Sequence, residues 1–259
     1  MKANWKFALM GLAAVAFVAC NQNKPQGGEG GEGGGGEETK TIEISVADNS
    51  IADWDAIPAE YLFSAVCPED AAMLGLKSVK VFADEIYINI LVEPNMEDVT
   101  DLEWTPFHVY LNTDNSDETG GYGDEFTDAN TDVLLETAVF CEGQPYAYNP
   151  AVFYWWGEVG ADGWVWTNPE EEATADNGWG AIVAEGSMPI GNSQLVNGKI
   201  EIQLIRELIP SKAGWNENEF GIGFDIQQNW SSVGILPCAA ATDENPAGHA
   251  AKLQVKIYK

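Results

Sequence analysis

Between Lys80 and Lys199 the sequence has no lysine or arginine, against 23 aspartates and glutamates, and the formal net charge of the chain is −29. Loss of Lys2 and Lys6 with a leader would take the charge to −31. A surface of that sign repels phosphate backbones and anionic head groups, whereas nucleic-acid binders carry a clustered basic face. Nucleic acids and acidic glycans are therefore excluded as ligands. Histidine is nearly absent, with only His108 and His249, and no C-x-x-C spacing occurs among the four cysteines, which argues against zinc and thiol-redox chemistry. There is no G-x-S-x-G, no H-E-x-x-H and no P-loop. Two carboxylates set about 5 or about 6.5–9.5 Å apart could still make a glycosidase, so that reading stays as the remoter alternative to a protein without catalysis. Also missing are a fixed-period repeat, a long helical period and any second linker beyond residue 40.

What the chain does have begins with a leader. Lys2 and Lys6 precede an apolar run from Phe7 to Ala19, about 13 residues and too short for a ~30 Å hydrocarbon core. The segment Phe17-Val18-Ala19-Cys20 resembles the lipobox of bacterial lipoproteins, with Phe17 where that family usually carries Leu. The resemblance implies cleavage before Cys20 and its lipidation, which supplies enough acyl chains for stable anchoring. Residues 27–36 then contain eight glycines and the two acids Glu29 and Glu32, a flexible tether that cannot bury enough surface to fold. An acidic stretch just after such a cysteine also resembles the export signals of surface-exposed lipoproteins in glycan-foraging bacteria. The expected organisation is a signal peptide at 1–19, a lipidated cysteine and tether at 20–40, and one domain at 41–259. The expected location is the outer membrane, on its periplasmic or cell-surface face, with the membrane met through the lipid alone. With Cys20 in the anchor, Cys67, Cys141 and Cys238 form an odd set that permits one disulfide and one free thiol.

About 219 residues suffice for one large β domain burying roughly 70% of its unfolded surface. β-Branched and aromatic runs of strand length lie at 43–46, 79–82, 87–92, 107–111, 133–139, 152–156, 164–167, 181–184, 199–204, 219–226 and 253–258. Several alternate with period two. Helix-like stretches are short, at 59–65 and 205–209, the latter stopped by Pro210. The pattern predicts an all-β fold, a jelly-roll-like antiparallel β-sandwich.

The segment Ala52-Asp53-Trp54-Asp55-Ala56-Ile57-Pro58, followed by 78–90 with its strand, acidic turn Asp84-Glu85 and second strand, resembles the start of type 9 carbohydrate-binding modules and their DOMON-like relatives. Tyr110-Leu111-Asn112-Thr113-Asp114, Thr119-Gly120-Gly121 with Asp132, and Glu201–Leu204 running to Ile209-Pro210 resemble later parts of that family, so the likeness spans most of 42–259. It implies a core position for Trp54 and a sugar-binding role for the domain.

Sugar recognition needs flat apolar faces for stacking and polar groups for hydroxyls. Trp155, Trp156, Trp164, Trp166, Trp179, Trp215 and Trp230 are candidates. Of adjacent Trp155 and Trp156 one faces the core, while Trp164 and Trp166 share a face. Trp179, flanked by Asn177-Gly178 and Gly180, and Trp230, after Gln227-Gln228-Asn229, read as loop platforms with amide neighbours. The expected ligand set is Trp156, Trp164, Trp166, Trp179, Gln227 and Trp230. The acidic loop 114–132 offers hard oxygen ligands, Asp114, Asp117, Asp128 and Asp132, for a structural calcium. It is not an EF-hand, because Val133 stands where that loop needs Gly and Val139 where it needs Glu. The function expected is binding of a neutral glycan; the rival is an envelope scaffold that docks another envelope protein through the same aromatics.

Overall fold

The period-two runs become strands because each buries one face. The computed structural model of the chain describes residues 42–121, 125–161, 165–167 and 178–259. Its described strands are β1 (Phe63–Val66), β2 (Leu76–Asp84), β3 (Tyr87–Pro94), β4 (Trp104–Asn112), β5 (Val133–Cys141), β6 (Gln144–Pro145) and β7 (Ala151–Trp155), followed by β8 (Val165–Thr167), β9 (Gly178–Val183), β10 (Gly191–Val196), β11 (Lys199–Ile205), β12 (Glu219–Gln228), β13 (Ser231–Leu236) and β14 (Leu253–Tyr258). They join in the order β10-β11-β3-β2-β14-β12-β4-β5-β7-β9-β8, with β1 on β2, β13 on β12 and β6 on β5. The fold is all-β, as expected. Pairing is antiparallel except for β14 with β2 and β8 with β9, which are parallel.

The long ladder doubles over, so that β2, β3 and β11 face β4, β5 and β12 across one apolar layer. Val81, Ile90 and Ile202 from the first group share that core with Val109, Leu135, Phe224 and Ile222 from the second. Strand β14 is the fold line. Its residues 253–256 pair with β12, and Ile257 and Tyr258 pair with β2.

Each outer face carries a second apolar cluster. Over the first group, Trp54, Ile44 and Ile57 pack on Phe82 and Leu91, with Trp54 Nε1 donating to Glu201 Oε1 at 2.5 Å. The sequence expectation that Trp54 is buried holds. Over the second group, Phe126, Trp155 and Trp179 pack on Tyr110 and Leu134.

Some local expectations fail for identifiable reasons. Residues 43–46 make no strand; their backbone is held by side chains, with Gln203 Nε2 donating to Ile44 O at 3.0 Å and Gln194 Nε2 to Ser45 O at 3.1 Å. The helix-like stretch at 59–65 is a 3-10 turn (Ala59–Tyr61) that passes into β1, where Phe63 pairs with Val81. That at 205–209 is the 3-10 turn Arg206–Leu208.

Candidate functional site

The turn after β7 and the loop after β4 meet where Gly160 N donates to Gly120 O at 3.0 Å. Next to it, Gly121 lies flat under the Trp155 indole; a Cβ there would stand 2.1 Å from the ring, so no other residue fits. Trp155 is thereby fixed in the outer cluster, edge-on to Trp179 with centroids 5.3 Å apart, and its Nε1 donates to Glu158 O at 3.0 Å. The alternation predicted for the adjacent indoles is observed, since Trp155 is buried and Trp156 is half-exposed.

Trp156 faces an open groove of about 350 Å³ lined also by Glu118, Thr119, Asp132, Trp155 and Lys212. Its Nε1 has no protein partner. Asp132 is anchored by the backbone N–H of Thr113 at 2.8 Å and its hydroxyl at 3.1 Å. Burial raises the Asp132 carboxyl, partly offset by those bonds. On the opposite wall, Lys212 stands with its Nζ 3.5 Å from the centre of the Tyr154 ring, a cation–π contact that places a hydrogen-bond donor at the rim. One indole, two carboxylates, a hydroxyl and an ammonium thus converge on one groove. That donor and acceptor set suits a polyhydroxylated ligand stacked on an aromatic floor.

The other expected ligand residues do not gather there. Trp179 is a correction: it lies on β9 rather than a loop, is 0% exposed and has no ring face to offer. Gln227 is buried on the outer face of β12, where its amide donates to Asp225 Oδ2 at 2.5 Å. Trp230 is 63% exposed but sits in the β12–β13 turn. Seven residues of β12, roughly 24 Å of extended chain, separate Gln228 from Gly221, which pairs with Asn112 near the groove. Of Trp166 only the backbone, on β8, is described, and Trp164 and Cys20 lie outside the described residues, as do the leader and tether. Trp215 is half-buried, edge-on to Phe220 with its Nε1 bonded to Ile209 O at 3.1 Å.

The four aspartates expected to hold calcium are already committed to protein donors. Asp114 accepts from the Thr119 hydroxyl at 3.0 Å and Asp117 from the Asn130 amide at 2.7 Å, while Asp132 is held by Thr113 as above. The buried ammonium of Lys252 lies 3.2 Å from Asp128 Oδ1, 2.9 Å from Asp128 O and 2.8 Å from Asn130 Oδ1. Among the described residues no group of three or more metal-ligating side chains converges. The cation at the Asp128 end of this loop is the chain's own lysine.

Sequence reasoning also missed a buried polar row. The registers of β12, β4 and β5 set Asp225 opposite His108 and His108 opposite Glu136. His108 Nε2 lies 3.2 Å from Glu136 Oε2, bent out of good hydrogen-bond alignment, and Nδ1 lies 3.9 Å from Asp225 Oδ2. Burial works against the imidazolium, but Glu136, Asp225 and Glu125 outweigh it and raise the His108 pKa. Burial and the charge of Asp225 push Glu125 up to about 7. The signal was present as polar residues at the outward phase of otherwise apolar strands, in Phe107-His108-Val109 and Phe224-Asp225-Ile226. Lys212 was missed as well, because only the fold brings it to Tyr154.

Set against known proteins, the chain matches no family model and no curated protein sequence.

Proposed function

We propose that this protein is a lipid-anchored binding module, held through Cys20 at the outer membrane, whose β-sandwich takes a neutral carbohydrate in the Trp156 groove without catalysis. The observation that carries the reading is the half-exposed Trp156 indole lining the groove beside Asp132, Thr119 and Lys212. The resemblance of 52–58 and 78–90 to type 9 carbohydrate-binding modules supports it, and the acidity of the chain favours a neutral ligand over an anionic one.

The test is a neutral-glycan array probed with the purified protein, with calcium and with chelator, followed by titration of any hit. Trp156→Ala should weaken binding at least about tenfold, roughly 1.4 kcal/mol, with the thermal transition retained. Trp230→Ala serves as the exposed-aromatic control and should bind as the parent does. An array with no hit, or a hit indifferent to Trp156→Ala, overturns the groove assignment. For the anchor, Cys20→Ala should release the chain from the membrane fraction.

A second reading, docking of another envelope protein, is favoured by one observation: Trp230 projects from a turn at a positive φ of 62°. Capture of a partner lost in Trp230→Ala and indifferent to sugars would establish it.

A further inference from the structure

Cys67 follows β1 and Cys238 follows β13, and both are half-buried thiols here. Their sulfurs lie 4.0 Å apart although 171 positions separate them in the chain. Two backbone hydrogen bonds bracket the pair. Gly75 N donates to Val233 O at 2.8 Å, and Ala241 N donates to Asp70 O at 3.0 Å. Near the first tie the two segments touch backbone to backbone. A Cβ on Gly75 would stand 2.7 Å from Val233 O, and one on Gly234 would stand 2.5 Å from Leu76 N. Segments clamped in this way cannot slide past each other, so the sulfur encounter is built into the fold rather than sampled by a loose loop.

We propose that Cys67 and Cys238 are a disulfide site, closed when the chain meets a disulfide oxidant, with Cys141 left as the free thiol. A bonded pair needs about 2.05 Å between sulfurs, so from 4.0 Å they must approach by about 2 Å. Cys67 gives up only weak contacts in doing so, to Pro68 O and Met73 O at 3.5 Å each. Cys141 is on β5 in register with Trp104 and Gln144, and with neither of the other cysteines.

The chemistry is thiol–disulfide exchange with an oxidised oxidoreductase or a small-molecule disulfide. The thiolate of one cysteine attacks the oxidant's disulfide, and the second cysteine's thiolate then displaces the oxidant from the mixed disulfide. Two S–H bonds are lost and one S–S bond forms. Two electrons and two protons pass to the oxidant, which leaves as two thiols. Burial pushes the Cys67 thiol up and the Cys238 thiol up to about 12, so exchange is slow at neutral pH and faster in alkaline buffer.

The test uses the full chain, reduced, then incubated with oxidised glutathione at alkaline pH, alkylated, digested and weighed by mass spectrometry. A linked peptide pair carrying Cys67 and Cys238, two hydrogens lighter than the separate peptides and abolished by reduction, is expected, with Cys141 alkylated. The oxidised protein should melt about 10 °C above the reduced one. Cys67→Ser, Cys238→Ser and the double variant should share one melting temperature under oxidant, because each removes the same bond. Glutathione or alkyl adducts on both Cys67 and Cys238, a link to Cys141, or additive effects of the two serine substitutions would overturn the assignment.

Discussion

The buried ammonium of Lys252, just before β14, lies 3.2 Å from Asp128 in the loop that leads into β5. Asp132 and Asp117 add their charge to that site, so one lysine sits among three of the loop's aspartates. Lys252→Met keeps the length of the side chain and removes the charge; Asn130 Oδ1 and Asp128 O lose their donor, and the Asp128 carboxylate keeps only the backbone N–H of position 252, at 3.1 Å. A loss of about 3–5 kcal/mol is expected by urea unfolding. Because the cation is covalently part of the chain, chelator should leave the unfolding midpoint of the parent protein unchanged.

A buried Glu125 at about 7, against an ordinary 4.5, means that the folded chain keeps a proton which the unfolded chain gives up. The stability from this group is complete below about pH 4.5 and is lost as the pH rises through 7. His108, also raised, acts with the same sign: its contribution is complete below its ordinary 6.5 and is lost above its folded value. Glu93, lowered by Lys199, has the opposite sign, but its window lies below pH 4.5. The unfolding midpoint should therefore climb as the pH is lowered from 8 to 5. Glu125 accounts for about 2.5 kcal/mol of that change. Glu125→Gln should flatten the profile; a pH-independent midpoint in the parent protein would refute the argument.

Asn229 and Trp230 form a two-residue hairpin turn with φ of 49° and 62°, a conformation that favours Asn followed by Gly. A bulky aromatic there is strained. Trp230→Gly should raise stability by about 1 kcal/mol, measured by urea unfolding. If Trp230 docks a partner, the same substitution should abolish capture while stabilising the fold.

Trp179→Ala should behave as a core truncation. Its indole is among the largest side chains buried in the protein, so a loss of about 3–5 kcal/mol is expected. Because Trp179 packs on Trp155, which lines the groove, any loss of glycan affinity should come with this loss of stability, whereas Trp156→Ala should lose affinity with the thermal transition retained.

These contrasts show what a linear reading captures. Strands β2, β3, β4, β5, β11 and β12 were legible because their inward residues alternate without interruption. Strands β10 and β13 were not, since Gly191-Asn192-Ser193-Gln194 and Ser231-Ser232 carry turn-like residues and become strands only by pairing with β11 and β12. Trp179 was read as a loop residue from its flanking glycines. Gly180 is there for packing instead, since a Cβ on it would press to 3.0 Å from the Tyr154 ring. At the candidate site, Asp132 was read only as a calcium ligand, whereas Trp156 was legible by residue type. Lys212 was not, because its place opposite Tyr154 depends on contacts between distant segments. The buried Lys252 escaped notice for the same reason, as an isolated charge beside a strand in the sequence.

Strand β14 belongs to both halves of the ladder, its first residues on β12 and its last two on β2. Earlier in the chain, the start of β2 already meets β13, with Gly75 N donating to Val233 O at 2.8 Å. What residues 253–258 add is the strand that pairs with β12 at one end and with β2 at the other. The hydrogen-bonded ladder between the two halves is therefore continuous only once β14 is in place.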